Sequence, residues 1–569
     1  MAISDLRNAR FVVALSAILA KASWRNVSLF ALHGAAIGVM LFTETAPVAM
    51  ALFLLTWGLI NFFWLSLLRR PMIAAALSLL LIATIVLLSR FKYDIVWMTI
   101  DFLDVMLIDF ATIRFMLTIF PDLRLIVGAL LATAVIISII LWRLDPFRVR
   151  RRSAALGFAA CCTCIIVLSI VAPGKWWEVF SNDNFVSKLS RSAVAAVSEL
   201  MTHGILEADA VAAGALPNDQ DAPCNPSVKP PHIILIHDES SYDIRVAPGI
   251  KVPEGYGSHF VSFDGVARHL LVESHGGASW YTEFGVLTGL SSRSFGRFAY
   301  SLPRVAAGRV KRGLPLALRR CGYRTFSFYP ASSAFMSAKN FQMSTGIEHF
   351  FDYRDMGTTA VEPDSFYYNA AATMLKQDRG TGPIFAYVYL AANHFPFTRT
   401  WHPDLMPRWQ DPGNTPAVDE YLRRQARSDL DYQVFLERLR REFPGEPFLL
   451  VRYGDHQPAF PTFVMDPTLD EAGIAKRMQS YDPRYFTTYY AVDTINFQPV
   501  DKSAALDTLD APYLPLAIQQ MAGLPLDPSF VEQRKIFERC GGIFYACAAG
   551  VEVRRFLRLL LDAGQIRHL

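Results

Sequence analysis

The chain has 569 residues, 52% of them hydrophobic and only 19% charged, with a formal net charge of +4. That composition excludes intrinsic disorder, a collagen-like repeat and a disulfide scaffold, and the length exceeds one ordinary domain. The charge is too near balance, and Lys/Arg too dispersed, for a nucleic-acid-binding protein.

The apolar excess lies at the front, where residues 1–175 hold 24 of the 106 charged residues. A bilayer core takes about 20 apolar residues per helix. Uncharged stretches of that order run Asn26–Thr43, Thr45–Leu68, Met72–Ser89, Leu125–Trp142 and Ser153–Gly174. Five in near succession argue against buried helices of a soluble bundle, and apolar segments continuing far beyond the first argue against a cleaved signal peptide. Arg7, Arg10, Lys21 and Arg25 precede the first span, Arg69 and Arg70 follow the second, and Arg143, Arg148 and Arg150–Arg152 follow the fourth. The positive-inside rule then places the N-terminus in the cytoplasm and everything after about Pro173 outside. Between the third and fourth spans, residues 93–120 carry Asp94, Asp101, Asp104 and Asp109 in an amphipathic pattern, read as helices lying at the outer membrane surface. The expected transmembrane domain is therefore residues 1–175.

Trp176 and Trp177 suit an interfacial anchor. Residues 178–200 read as an amphipathic helix and the small, Pro-rich residues 205–231 as a linker, so 176–231 join the two halves.

From residue 232 to 569 the pattern changes to short apolar runs ending in polar clusters. HIILIHDES (232–240), YRTFSFYPAS (323–332), PIFAYVYLAANHF (383–395) and PFLLVRYGDHQP (447–458) are strand-like, with helical segments such as 418–443 between them. Buried strands alternating with helices predict an α/β domain with a mostly parallel sheet. Ligands of such sheets bind beyond the carboxyl ends of the strands. Three of these ends carry Asp238/Glu239, Asn393/His394 and Asp455/His456. Each alone fits a cap or a turn; together they fit a site for Zn²⁺ or Mn²⁺ built from oxygen and nitrogen donors. A candidate nucleophile is Ser279, following Gly276, Gly277 and Ala278 and preceding a helical run from Trp280. A metal ion lowers the pKa of a bound hydroxyl, and a helix N-terminus favours phosphate. An ordinary Ser N-cap explains the same residue, and Ser274 is the alternative hydroxyl.

The ordered series of the first strand, GGASWYTEF, GYRTFSFYP, FQMSTGIEHFFD, NHFPF and YGDHQP resembles the alkaline-phosphatase superfamily. More narrowly it is similar to the membrane-anchored phosphoglycerol and phosphoethanolamine transferases with a sulfatase-like domain, the lipoteichoic-acid-synthase group. The resemblance implies that Glu239, Ser279, Asp455 and His456 bind one Zn²⁺ or Mn²⁺. It implies that Ser279 forms a covalent phospho-enzyme, and that His394 contacts the transferred group or protonates a leaving oxygen. Asn393 and Lys339 are the implied substrate contacts. The donor is then a membrane phospholipid and the acceptor an envelope polysaccharide or glycolipid, with the catalytic domain on the periplasmic face of a bacterial inner membrane. Serine replaces the group's usual threonine, and no cysteine fits the formylglycine pattern of true sulfatases. A phosphodiesterase passing the group to water and a non-catalytic envelope assembly protein are the alternatives. A transporter is disfavoured, because no charged residue lies within a span. Among the cysteines outside the spans, Cys540–Cys547 is a plausible short-loop bridge, and Cys224 and Cys321 are either a second bridge or a pair of free buried thiols.

Overall fold

The structure, a computed structural model, describes residues 24–567 except 97, 108–109, 121–122, 146, 175, 203, 209, 212–213, 217–223, 227, 381, 461–462 and 546–549. The chain folds as two compact units, one built on residues up to Val197 and one on Ser198–Leu569 with Ile95–Trp97 and Leu103–Ile119.

The first unit is helical. Helices α1 (Trp24–Thr43), α2 (Pro47–Leu68) and α3 (Pro71–Val96) are followed by two short ones, α4 (Phe102–Leu107) and α5 (Phe110–Ile119), which end in the other unit. Then come α6 (Leu123–Leu144), α7 (Arg151–Val171) and α8 (Phe185–Thr202). Five of these helices are long and apolar enough to cross a membrane, and they coincide with the five expected spans. Pro47 and Pro71 open α2 and α3, where a missing N–H costs nothing. The α2–α7 crossing is close because glycines line it: a Cβ on Gly157 would meet the Phe62 ring at 2.7 Å, and one on Gly58 would meet Cys161 Sγ at 2.9 Å. Helix α3 runs past Ser89, the expected limit of the third span, because Arg90, Lys92 and Asp94 interrupt its hydropathy without interrupting its helix.

The second unit is an α/β domain on one eight-stranded sheet: β1 (His232–Asp238), β2 (Arg268–Leu271), β3 (Arg324–Phe328), β4 (His349–Phe351), β5 (Ile384–Tyr389), β6 (Phe448–Gly454), β7 (Thr487–Ile495) and β8 (Thr508–Asp510). Their order is β4-β3-β5-β1-β6-β7-β2-β8. The half from β4 to β6 is parallel, β7 runs antiparallel to both β6 and β2, and β2 pairs parallel with β8. The central strand β1 is buried on both faces: Ile233 and Leu235 enter one core, Ile234 and Ile236 the other. That two-sided burial explains why its sequence is a continuous apolar run. Helices that frame the site are α9 (Trp280–Thr288), α10 (Ala338–Ser344), α11 (Asp364–Gln377) and α12 (Pro416–Glu442).

The start of the segment read as a linker makes contacts with the second unit. Leu206 is buried in the first core, Glu207 N–H donates to Ser294 O at 2.8 Å, and Tyr545 Oη donates to Glu207 at 2.9 Å. Cys224 is disulfide-bonded to Cys321, which decides for the bridge over free thiols. In the other expected pair, Cys547 lies outside the described residues.

Candidate active site

Strand ends carry the site. Just beyond β1, Ser240 takes a left-handed backbone (φ 52°), which turns its N–H onto Asp455 Oδ1 at 2.7 Å. The His456 N–H donates to the same oxygen at 2.9 Å. Two backbone donors thus fix Asp455 and leave Oδ2 facing the neighbouring side chains. Gly454 permits this approach: a Cβ there would lie 1.8 Å from Ser241 O. Thr282, in the first turn of α9, donates its hydroxyl to Asp455 O at 2.6 Å, tying the helix to the same strand end.

Ser279 reaches the cluster from the loop before α9. Gly276 and Ala278 have positive φ (73° and 60°), and the Gly276 N–H donates to Gln457 O at 2.8 Å. Ser279 makes no side-chain capping bond to α9. Its Oγ lies 3.3 Å from Glu239 Oε2 and 3.2 Å from His456 Nε2. The ordinary N-cap is therefore not what this serine does. Ser274, the alternative hydroxyl, is buried with no partner for its Oγ.

Asp455 Oδ2 is 3.2 Å from His456 Nε2, and Glu239 Oε1 is 3.5 Å from it. Those separations match the edge of a coordination shell with metal–ligand bonds of about 2.0–2.1 Å. His456 Nδ1 is 3.0 Å from Gln457 O. A carbonyl only accepts, so Nδ1 carries a proton and Nε2 is the nitrogen that faces the cluster. Glu239, Asp455 and His456 are almost wholly buried, while Ser279 is only half-buried. Burial and the neighbouring Asp455 charge push the Glu239 carboxyl well above its usual range. At Asp455 the same burial is outweighed by His456 and His237, which hold it low. Two buried carboxylates side by side call for a proton or a cation. Asp455 Oδ2 moreover has no hydrogen bond, so the donor set fits a divalent ion. His237, Glu239 and Asp455 also place ligand atoms all within 4.8 Å of one another, and His237 is a residue the motif reading missed.

His394 and Asn393 follow β5. Burial pushes the His394 ring down to about 4, with His456 adding to the effect, and its Nδ1 is 2.7 Å from Phe395 O. The imidazole is thus neutral near pH 7. Asn393 donates to Gln425 Oε1 at 3.1 Å and leaves Oδ1 buried without a partner. Lys339 sits exposed on α10, and no contact joins it to the cluster.

Residues 269–486 match the Sulfatase family model, a segment that holds Ser279, His394, Asp455 and His456. The matched segment lies within the second unit. This domain's resemblance to the alkaline-phosphatase superfamily, read from the motifs, accords with that match. An uncharacterized protein of Haemophilus influenzae is 22% identical over 280 residues, 47% of this chain and 48% of its own, so the chain spans about half the length of that curated relative. Among solved structures, the Streptococcus pyogenes phosphoglycerol transferase GacH in complex with sn-glycerol-1-phosphate is 15% identical with a TM-score of 0.46, over 61% of this chain and 92% of that one. The lipooligosaccharide phosphoethanolamine transferase A (EptA) from Neisseria meningitidis is 10% identical with a TM-score of 0.45, over 84% and 96%.

Proposed function

We propose that residues 232–569 form the catalytic domain of a membrane-anchored transferase. It moves a phospholipid-derived head group, phosphoglycerol or phosphoethanolamine, through a covalent phospho-serine to an envelope glycan or lipid acceptor. The observation that carries this reading is the Ser279 hydroxyl, half-buried, uninvolved in capping, and set 3.2–3.3 Å from His456 and Glu239.

In this reading Glu239, Ser279, Asp455 and His456 hold one Zn²⁺ or Mn²⁺. Such an ion supplies positive charge that lowers the pKa of the serine hydroxyl and offsets phosphate charge. In the first step Ser279 Oγ loses its proton and bonds to phosphorus, the phosphorus–oxygen bond to diacylglycerol breaks, and diacylglycerol leaves with a proton. In the second, an acceptor hydroxyl bonds to phosphorus and the serine oxygen leaves and regains a proton. His394, held neutral at physiological pH, suits contact with the transferred group better than proton donation. Asn393 Oδ1 offers an acceptor to the same group, and Lys339 has no geometric support in this role. The lipid donor gives the membrane anchor its purpose, with the catalytic domain outside a bacterial inner membrane and the N-terminus in the cytoplasm.

Incubation with head-group-labelled phosphatidylglycerol and phosphatidylethanolamine, separately, tests the reading. Diacylglycerol release and label on Ser279 are expected with one of them, and Ser279→Ala abolishes both. Undiminished labelling of that variant sinks the nucleophile; release of the free head group alone, with an acceptor present, makes the enzyme a hydrolase.

A further inference from the structure

Behind the four-residue cluster lies a histidine that the reaction above does not use. His237 is fully buried in β1, where the register sets it beside Tyr389 of β5 and Tyr453 of β6. Its ring stacks on Tyr389 with centroids 3.7 Å apart. Nδ1 lies 2.9 Å from Tyr387 Oη and 2.8 Å from Tyr453 Oη. The other nitrogen, Nε2, points the opposite way, to within 3.2 Å of Asp455 Oδ2. Although so close, neither Nε2 nor Oδ2 has a hydrogen bond.

A proton on Nε2 would be buried with no acceptor in line. A proton on Nδ1 meets two tyrosine oxygens. With that proton on Nδ1, Nε2 offers a lone pair to the space that Asp455 Oδ2 also faces. Metal-binding histidines characteristically donate their other ring N–H in this way, as His456 does to Gln457 O.

We infer that His237 Nε2 is an additional ligand to the ion held by Glu239, Ser279, Asp455 and His456, and that this second imidazole biases the site toward Zn²⁺ over Mn²⁺. The inference rests on the reading that this cluster holds a divalent cation. Its physical basis is donor chemistry: imidazole nitrogen suits zinc, whereas carboxylate and hydroxyl oxygens alone serve manganese as well. Tyr387 and Tyr453 then hold Nδ1 by hydrogen bonds, while Tyr389 sets the ring's tilt by stacking.

The test uses the full-length chain in detergent, stripped by chelation and titrated with Zn²⁺ or Mn²⁺ against a chromophoric chelator. His237→Phe, which keeps the ring stack on Tyr389, is expected to weaken Zn²⁺ binding by about 100-fold or more and Mn²⁺ binding by about tenfold or less. Zn²⁺ affinity within threefold of wild type, or an equal loss for both ions, overturns the inference. X-ray absorption of the zinc-loaded wild type gives an answer that does not depend on any variant folding: two imidazoles per zinc are expected, and one overturns the assignment. A wild-type chain that binds neither ion defeats the metal reading itself, an outcome distinct from a bound ion with one imidazole.

Discussion

Arg424 acts on the site through the backbone. Its Nη1 donates to His394 O at 2.8 Å and its Nη2 to Pro396 O at 3.0 Å, while Nε is held by Glu420 at 2.6 Å. A single buried guanidinium therefore clamps the loop that carries Asn393 and His394 onto α12. Arg424→Met should lower kcat/KM by about 10–100-fold with metal content unchanged, because a loop displaced by an ångström costs roughly that much; Arg424→Lys, with fewer donors, should recover only part. Steady-state kinetics beside metal analysis checks both. The same loop is held from the other side by Asp364, which accepts the Ala392 N–H at 3.2 Å and the Ser428 hydroxyl at 2.6 Å. Burial, with Asp238 nearby, raises the Asp364 carboxyl from 3.8 to about 7. A carboxyl raised on folding binds its proton more tightly in the folded state, so its stabilisation is present below pH 4 and is lost as pH rises through about 7. Asp364→Asn should therefore raise Tm at pH 8, by up to about 4 kcal/mol of stability, and leave it nearly unchanged at pH 4. An equal shift at both pH values would remove the carboxyl as the cause. Glu239, Ser279, Asp455 and His456 were legible in the sequence because each ends an apolar run or follows a glycine pair. His237 was not, since inside such a run a histidine is indistinguishable from a packed core residue until its neighbours on β5 and β6 are known.

At the level of elements, the β6 end shows how one backbone position governs several side chains. Gly454 lets Ser241 O approach to a distance that a Cβ would reduce to 1.8 Å, and the clashing atom is backbone. Gly454→Ala must push β6 away from the turn after β1, which separates the Asp455 carboxyl from its Ser240 donor. We expect a loss of about 3 kcal/mol or more in stability, or a folded protein with divalent-ion affinity down at least tenfold. Unfolding and metal titration of the same preparation show which. Strands β1, β3, β5 and β6 were legible because two-sided burial makes each a long apolar run. Strands β2, β4 and β8 have only three or four residues, too short for any alternation to register. Strand β7 is longer, but its burial breaks at Asp493 and Thr494, which blurs the pattern. None of the four missed strands delivers a side chain to the cluster, which is why the site could be read with half of the sheet unseen.

For the whole molecule, the Cys224–Cys321 bridge joins the segment entering the α/β unit to the end of a helix 97 residues away. A disulfide typically stabilises by about 2–4 kcal/mol, and this bond persists only in an oxidising compartment. Compartment and stability are therefore linked: an α/β unit facing the cytoplasm would lose the bridge at Cys224. The Lys/Arg clusters make the complementary statement, since those before α1, after α2 and after α6 all fall on one side of the membrane if the five spans alternate. In intact cells, Cys224 and Cys321 should resist a membrane-impermeant maleimide until an impermeant reductant is added, then react. A thiol introduced by Arg148→Cys, in the basic loop between α6 and α7, should stay unlabelled until the membrane is opened. The opposite pattern would place the site in the cytoplasm, out of reach of an envelope acceptor, and would leave the proposed transfer without a second substrate.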